Sequence, residues 1–301
     1  MKNLKVLLSL ILVIVMVGAF AGCSDGTNNA DANSNVEQNN NQSNNENNDK
    51  DVNDEEELSG TVTISGSTSV EPVGIGIAEE FMAFNPNVIV TYEGLGSSAG
   101  ITNGNERVTN IGATSRGLRD NEKEFGLVEA VVAYDGIALI THPDNPIEDL
   151  TREDVQKIYL GEATNWSEFG GNDEEIVVVS REAGSGTRGA FEEIVDFEDQ
   201  LTSNAIIAEG NGNVQSTVAE NPQSIGYVSF TYINDTVKPV PIAGALPTVE
   251  NVQNESYTIA RPFIMVYHED NLNDVSKAYM EFALSNEGQK IVEEVGAIPV
   301  N

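Results

Sequence analysis

Three stretches of this sequence join glycine to hydroxyl side chains. They are Ser65-Gly66-Ser67-Thr68-Ser69-Val70-Glu71-Pro72, Gly94-Leu95-Gly96-Ser97-Ser98-Ala99-Gly100 and Arg181-Glu182-Ala183-Gly184-Ser185-Gly186-Thr187-Arg188. Glycine lets backbone amides come close to a ligand. Ser and Thr add hydroxyl donors. A helix that opens within or just after such a stretch adds free N–H groups and a partial positive end. The combination seats a small oxyanion. Helix capping alone would account for any one stretch, because Ser and Thr are favoured caps. Three of them in one chain point to a shared ligand. Arg181 supplies the charge that hydroxyls lack, since a guanidinium can hold a tetrahedral anion through two parallel hydrogen bonds. Its alternative role is a surface pair with one of many acids.

Each stretch follows an apolar, β-rich run. Strands are expected over 61–65, 88–92, 131–133, 137–141, 176–180, 225–228 and 263–267. Helical patterns fall between them, over 72–84, 100–105, 151–159, 189–195, 214–219 and 274–285, with 287–295 closing and a break at Asn286-Glu287-Gly288. Pro72 fits an early helical position, which places Thr68 and Ser69 at or beside the N-cap. Alternating strands and helices predict an α/β fold of open sheets with covered faces. The length suggests two lobes, 60–134 plus 259–301 and 135–258, with the chain crossing near 132–135 and 257–261. Ligands in such folds collect where strands end and helices begin.

Two motifs invite other chemistries. Gly184-Ser185-Gly186-Thr187-Arg188-Gly189 matches the dinucleotide pattern G-x-G-x-x-G, yet no strand-terminal acid follows about 20 residues on. Gly96-Ser97-Ser98-Ala99-Gly100 matches the nucleophile elbow of serine hydrolases. Such an enzyme, a secreted esterase or phosphatase using Ser98, needs a histidine base. The chain has two histidines, His142 in a turn and His268 at an acidic strand exit, both read as exposed. With one cysteine and two distant histidines no metal site is expected, and no cofactor is implied. Trp166, the single tryptophan, is read as a packing plug rather than a ligand platform.

The chain has 301 residues, 48 acidic and 15 basic, for a net charge of −33. No basic stripe is available for a nucleic-acid backbone. One cysteine excludes an internal disulfide. Met1 to Cys23 reads as a secretion signal: Lys2 and Lys5, an apolar run shorter than the ~20 residues of a spanning helix, then Ala21-Gly22-Cys23. Small residues before a lone cysteine resemble a bacterial lipobox, where Cys23 would be acylated and hold the protein to the outer face of the cell membrane. Residues 24–58 contain 12 Asn, 10 acidic residues and one Lys. So little apolar surface cannot offset ordering entropy, so this stretch is expected to be a disordered tether of ~30–35 Å. The remaining body, 59–301, carries 38 acidic and 12 basic side chains. That charge speaks of solubility rather than fold.

Taken in order, the motifs resemble the phosphate-binding proteins of bacterial phosphate ABC transporters, the PstS family of type II periplasmic binding proteins. The matching segments are 65–72, 94–100, 111–116, 184–187, Ile158-Tyr159-Leu160-Gly161 with Asn165-Trp166, and Ile225-Gly226-Tyr227-Val228. The resemblance covers the whole body. It implies a two-lobed fold with a two-strand hinge and no enzyme activity. The implied ligand is inorganic phosphate, and the implied partners are the permease and ATPase subunits of an importer. Carried over by position, the phosphate contacts fall on Thr68, Ser69, Ser97, Ser115, Arg181, Ser185, Gly186 and Thr187. Some members carry an aspartate where this chain has Ser115, which bears on discrimination against sulfate. Arg116 beside it is expected to pair with Asp120. Another small oxyanion or an organic acid remains the alternative ligand.

Overall fold

The computed structural model describes residues 57–301. The expectations for the signal segment, Cys23 and nearly all of the tether lie outside the described residues. The first half opens with β1 (Gly60–Gly66), α1 (Glu71–Phe84), β2 (Val88–Gly94), α2 (Ser97–Asn105), β3 (Ile111–Thr114) and the short α3 (Asp120–Lys123). β4 (Val128–Thr141) then leads into α4 (Arg152–Leu160), β5 (Val177–Arg181), α5 (Gly186–Val195), β6 (Ile206–Ala208), α6 (Gly210–Glu220), β7 (Ser224–Ser229), β8 (Lys238–Pro239) and α7 (Val249–Gln253). The chain returns through β9 (Ala260–Tyr267) and ends in α8 (Asp274–Leu284) and α9 (Asn286–Glu294).

The strands run in the order β2-β1-β3-β9-β4-β7-β5-β6, with β8 beside β4. β1 pairs in parallel with β2 and β3, and β5 with β6 and β7. Pairings of β9 with β3 and β4, and of β4 with β7, are antiparallel. β4 is shared: 128–136 pairs with β9 and 137–141 pairs with β7. A bulge at Val132 interrupts the first pairing, and such an extra residue bends and twists a strand. Two expected strands, 131–133 and 137–141, are therefore one. The apolar interior divides at the same point. One cluster gathers Val62, Ile64, Ile77, Phe81, Phe263 and Tyr279; another gathers Leu139, Tyr159, Trp166, Phe191, Tyr227 and Tyr257; a small third one holds Ile101, Leu118, Ile264 and Val266. The fold is thus α/β and two-lobed, each lobe an open sheet flanked by helices, with β4 and β9 as the two connecting strands.

Local chemistry explains the parts that position the turns. β5 opens on three valines, continuing the apolar run from Ile176 to Val179, because it lies between β6 and β7 and is buried on both faces. α4 starts on Thr151, whose hydroxyl accepts from Asp154 N while Asp154 caps in return. Ser285, not Asn286-Glu287-Gly288, separates α8 from α9, and its hydroxyl caps α9. Three helices begin earlier than their periodicity suggests: α2 at Ser97, α5 at Gly186 and α6 at Gly210. α1 has Val70 as its N-cap, without a side-chain cap. No helix among the described residues is long and apolar enough to cross a membrane. Leu58, assigned to the tether, instead packs on the first cluster.

Candidate anion-binding site

The two hydroxyl turns of the first lobe are pinned to the end of β3. Gly66 adopts φ +146°, and a Cβ there would collide with Ala113 O, so β1 and β3 can converge only on glycine. Gly66 O accepts from Leu95 N and Gly96 N at 2.8 Å each, and Ser67 N donates to Ala113 O at 2.9 Å. Side chains then join the turns. Ser67 Oγ donates to Ser115 Oγ at 2.8 Å, and Ser115 N donates to Ser97 Oγ at 3.1 Å. α2 begins at Ser97, so its N-terminal amides face this cluster.

The second lobe presents the third turn. β5 ends at Arg181, and Ser185 caps α5 by accepting from Arg188 N at 3.1 Å. Glu182 grips Arg181 through two bonds, Nε to Oε2 at 2.9 Å and Nη2 to Oε1 at 2.8 Å. Behind it, Tyr227 Oη lies 2.8 Å from Ser180 Oγ and accepts from Arg181 N at 3.3 Å. Burial pushes the Tyr227 phenol up to about 12, although Ser180 and Arg181 pull the other way. It stays neutral and supports the β5 end without adding charge.

The two halves meet at these turns. Arg181 Nη2 donates to Thr68 Oγ1 at 3.2 Å, and Arg181 Nη1 to Thr187 Oγ1 at 3.4 Å. Ser69 Oγ lies 2.8 Å from Thr187 Oγ1, and Ser98 N donates to Gly184 O at 3.2 Å. Gly186 sits so close to the first lobe that a Cβ would collide with Ser97 Oγ and lie 2.7 Å from Ser115 Oγ. Thr68 is half-buried, and Ser69, Ser97, Ser115, Arg181, Ser185, Gly186 and Thr187 are buried. Thr68, Ser69, Ser97, Ser115, Arg181, Gly186 and Thr187 thus meet across the two lobes, while the Ser185 hydroxyl is taken up in capping α5 beside them.

A family model described as the PBP superfamily domain matches residues 51–287. The "Phosphate-binding protein PstS" of Borreliella burgdorferi is 31% identical over 250 residues, covering 79% of this chain and 90% of that protein. The protein of the same name from Bacillus subtilis is also 31% identical over 250 residues, covering 82% and 83%. This chain belongs to the PstS family of the PBP superfamily. A solved structure from Clostridium perfringens, described as a phosphate ABC transporter substrate-binding protein with bound phosphate, superposes with a TM-score of 0.79. It is 51% identical and covers 80% of this chain and all of that one. A phosphate transport receptor from Vibrio cholerae superposes at 0.69, with 34% identity over 80% of this chain.

This PstS-family chain also carries site neighbours that its sequence did not announce. Asn211, the second residue of α6, donates from Nδ2 to Ser69 Oγ at 2.9 Å and to Thr68 Oγ1 at 3.2 Å. Arg261 on β9 donates from Nη2 to Ser69 Oγ at 3.0 Å and pairs with Asp135 of β4. Tyr92 and Tyr232 donate to the carbonyls of Ser67 and Thr68, at 2.7 and 3.0 Å. The signal for Asn211 was present in Gly210-Asn211-Gly212-Asn213, a fourth glycine-polar stretch after a short apolar run. For Arg261 the only local signal is a cation beside Pro262 in a predicted crossing.

Arg116 pairs with Glu122, not with Asp120. Nη1 and Nη2 reach the Glu122 oxygens at 2.7 and 2.8 Å, while Asp120 goes to Lys123. Burial pushes Glu122 up, but the Arg116 fork and the Arg119 amide outweigh it and hold the carboxyl below its usual range. Both histidines are partly buried rather than exposed. His268 Nε2 lies 3.4 Å from Asn105 Oδ1, at the far end of α2 from Ser98, which along a helix axis is ~10 Å away. Ser98 Oγ instead accepts from Arg116 at 3.2 Å. The G-x-G-x-x-G stretch packs directly on the first lobe, with Gly184 O accepting from Ser98 N and Gly186 against Ser97 Oγ. Trp166 is buried, with Nε1 donating to Gln223 O at 2.9 Å, which makes it a plug. No group of three or more metal-ligating side chains occurs among the described residues.

Proposed function

We propose that this chain captures inorganic phosphate between its two lobes and delivers it to an ABC permease for import. The observation that carries the reading is convergence: Arg181 and hydroxyls from three separate turns, two in one lobe and one in the other, lie within hydrogen-bond reach of one another. Thr68, Ser69, Ser97 and Ser115 form one jaw; Arg181, Ser185, Gly186 and Thr187 form the other. The lobes are 60–134 plus 259–301 and 135–258, swinging on β4 and β9. A ligand that needs both jaws stabilises the closed arrangement because only closure satisfies every donor. No bond is made or broken. An acidic body is compatible with this, since short-range donors in a dry cleft outweigh screened distant charge. Residues 1–23 direct export, Cys23 carries the lipid, and the stretch from 24 up to Leu58, which itself packs on the body, tethers it outside the membrane.

Isothermal titration of the body with phosphate, arsenate and sulfate tests the assignment. Saturable heat with phosphate is expected. No heat with phosphate while another oxyanion or an organic acid saturates would overturn it. Gly186→Ala tests closure separately. The added methyl would collide with Ser97 and hold the jaws apart, costing about 1–3 kcal/mol for overpacking. Phosphate affinity should fall about tenfold or more, with the melting temperature nearly unchanged because Gly186 only opens α5. An unaltered affinity would mean that the jaws need not meet as closely as they do here.

A further inference from the structure

We infer that Asn211 and Arg261 set the direction of the hydroxyl network, so that Thr68 and Thr187 can only donate to a bound anion and the site selects doubly over singly ionised phosphate. This rests on the phosphate reading above. Neither residue reaches the ligand in that reading, so both are positioning residues.

A serine hydroxyl has two lone pairs and one proton. At Ser69 the lone pairs are both taken. Asn211 Nδ2 donates at 2.9 Å and Arg261 Nη2 at 3.0 Å, and neither nitrogen can accept. The Ser69 proton must therefore go to its remaining neighbour, Thr187 Oγ1, at 2.8 Å, so Ser69 bears on the ligand through Thr187 rather than by its own hydroxyl. Thr187 Oγ1 then accepts from Ser69 and from Arg181 Nη1, which leaves its own proton to point elsewhere. Thr68 Oγ1 is in the same position, filled by Asn211 Nδ2 and Arg181 Nη2, both at 3.2 Å. Two threonine protons are thus turned out of the network.

The orientation of each controlling group is itself fixed. Asn211 Oδ1 accepts from Ser229 N at 3.1 Å, so the amide cannot flip without losing that bond. Arg261 is clamped by Asp135, with Nη2 at 3.0 Å and Nε at 3.3 Å. Asp135 in turn accepts from Ser229 Oγ at 2.9 Å and Phe230 N at 3.1 Å. Ser115 is the exception. Its Oγ accepts from Ser67 at 2.8 Å, and Ser97 Oγ lies 3.4 Å away; with Ser115 donating to Ser97, Ser115 keeps one lone pair for the ligand. One proton on the ligand finds an acceptor there, and a second finds none. Sulfate, which brings no proton, meets donors throughout.

The charged and titratable groups facing this network are Arg181 at the end of β5 and Glu182 just after it, Arg188 from α5, Tyr227 from β7, Arg261 from β9, Asp135 from β4, Glu71 from α1, Tyr92 from β2 and Tyr232 after β7. Burial raises the three tyrosines and Glu71, and the tyrosines stay neutral near pH 7. Asp135 is pushed up to about 6, so the measurement belongs above that value.

Titration of the full chain with inorganic phosphate and sulfate at pH 6.5 and 8.5 decides the matter. Phosphate affinity is expected to rise about fivefold across this range as the ligand loses its second proton, with sulfate affinity flat. Asn211→Asp puts acceptors where the donors stood. Thr68 and Ser69 then donate to it and free lone pairs for the ligand, so the phosphate slope should flatten or invert. The phosphate-over-sulfate ratio should rise about tenfold. If that variant folds without binding, Asn211→Leu decides: a flattened slope supports the inference, and the unaltered slope overturns it. Phosphate binding by the unaltered chain with no pH slope sinks this inference alone. No phosphate binding at either pH sinks the reading beneath it.

Discussion

Arg181→Ala is expected to weaken phosphate binding by more than tenfold, about 2–3 kcal/mol for a hydrogen bond to a charged group in a dry site. The size follows from burial. The guanidinium is 1% exposed, and Glu182 fixes its plane before any ligand arrives, so no ordering cost is left to be met on binding. Stability should change little, because Glu182 is 27% exposed on its side chain and can turn to water once its partner is gone. Arg181→Lys should recover only part of the loss, since an ammonium cannot reproduce the fork. Titration of the three proteins with phosphate checks this. Equal affinities in all three would remove Arg181 from the site.

The parts of this molecule that were legible in its sequence are those whose causes are local. A strand end, a glycine and two hydroxyls lie within eight residues of one another, and so the three turns could be read directly. The strand at 176–180 was legible because burial on both faces demands an apolar run such as Ile176–Val179. Longer-range causes were hidden. β4 read as two strands because Asp135 and Gly136 are poor strand residues by type. Asp135 is tolerated there by Arg261, 126 positions away, and Gly136 by the Phe230 ring that fills the space beside it. α6 read as starting at Val214 because Gly-Asn-Gly-Asn is a poor helical sequence. Its first turn is held from outside, by Ser229 N on Asn211 and by Gly210 N on Glu182. Asn211 and Ser69 are 142 positions apart, so no spacing rule could have joined them. The partner of Arg116 was misread for a similar reason. Glu122 turns back toward it while capping α3, whereas Asp120 faces outward to Lys123.

Arg261→Met is expected to destabilise the protein by about 3–5 kcal/mol at pH 8, the usual cost of stranding one member of a buried ion pair. Both partners lie in the connecting strands, with side chains 2% and 0% exposed. Burial drives Asp135 up from 3.8 to about 6 and Arg261 down, so desolvation disfavours the charged form of each. For Asp135 the folded value exceeds the unfolded one. Its contribution to stability is therefore complete below 3.8 and is lost as pH rises through about 6. Without Arg261 the carboxyl is pushed higher still, and the loss continues toward alkaline pH. The stability gap between variant and unaltered protein should be small at pH 5 and large at pH 8, read by urea denaturation. Equal gaps would show that Asp135 titrates alike with and without Arg261. Asp135→Asn combined with Arg261→Met removes both charges and keeps an acceptor for Ser229 and Phe230, and should recover most of the stability. It cannot recover the bond from Arg261 to Ser69. A double variant that folds well yet shows a flattened phosphate pH profile would mean that the pair is kept for the orientation it imposes on the hydroxyls, at a net cost to the fold.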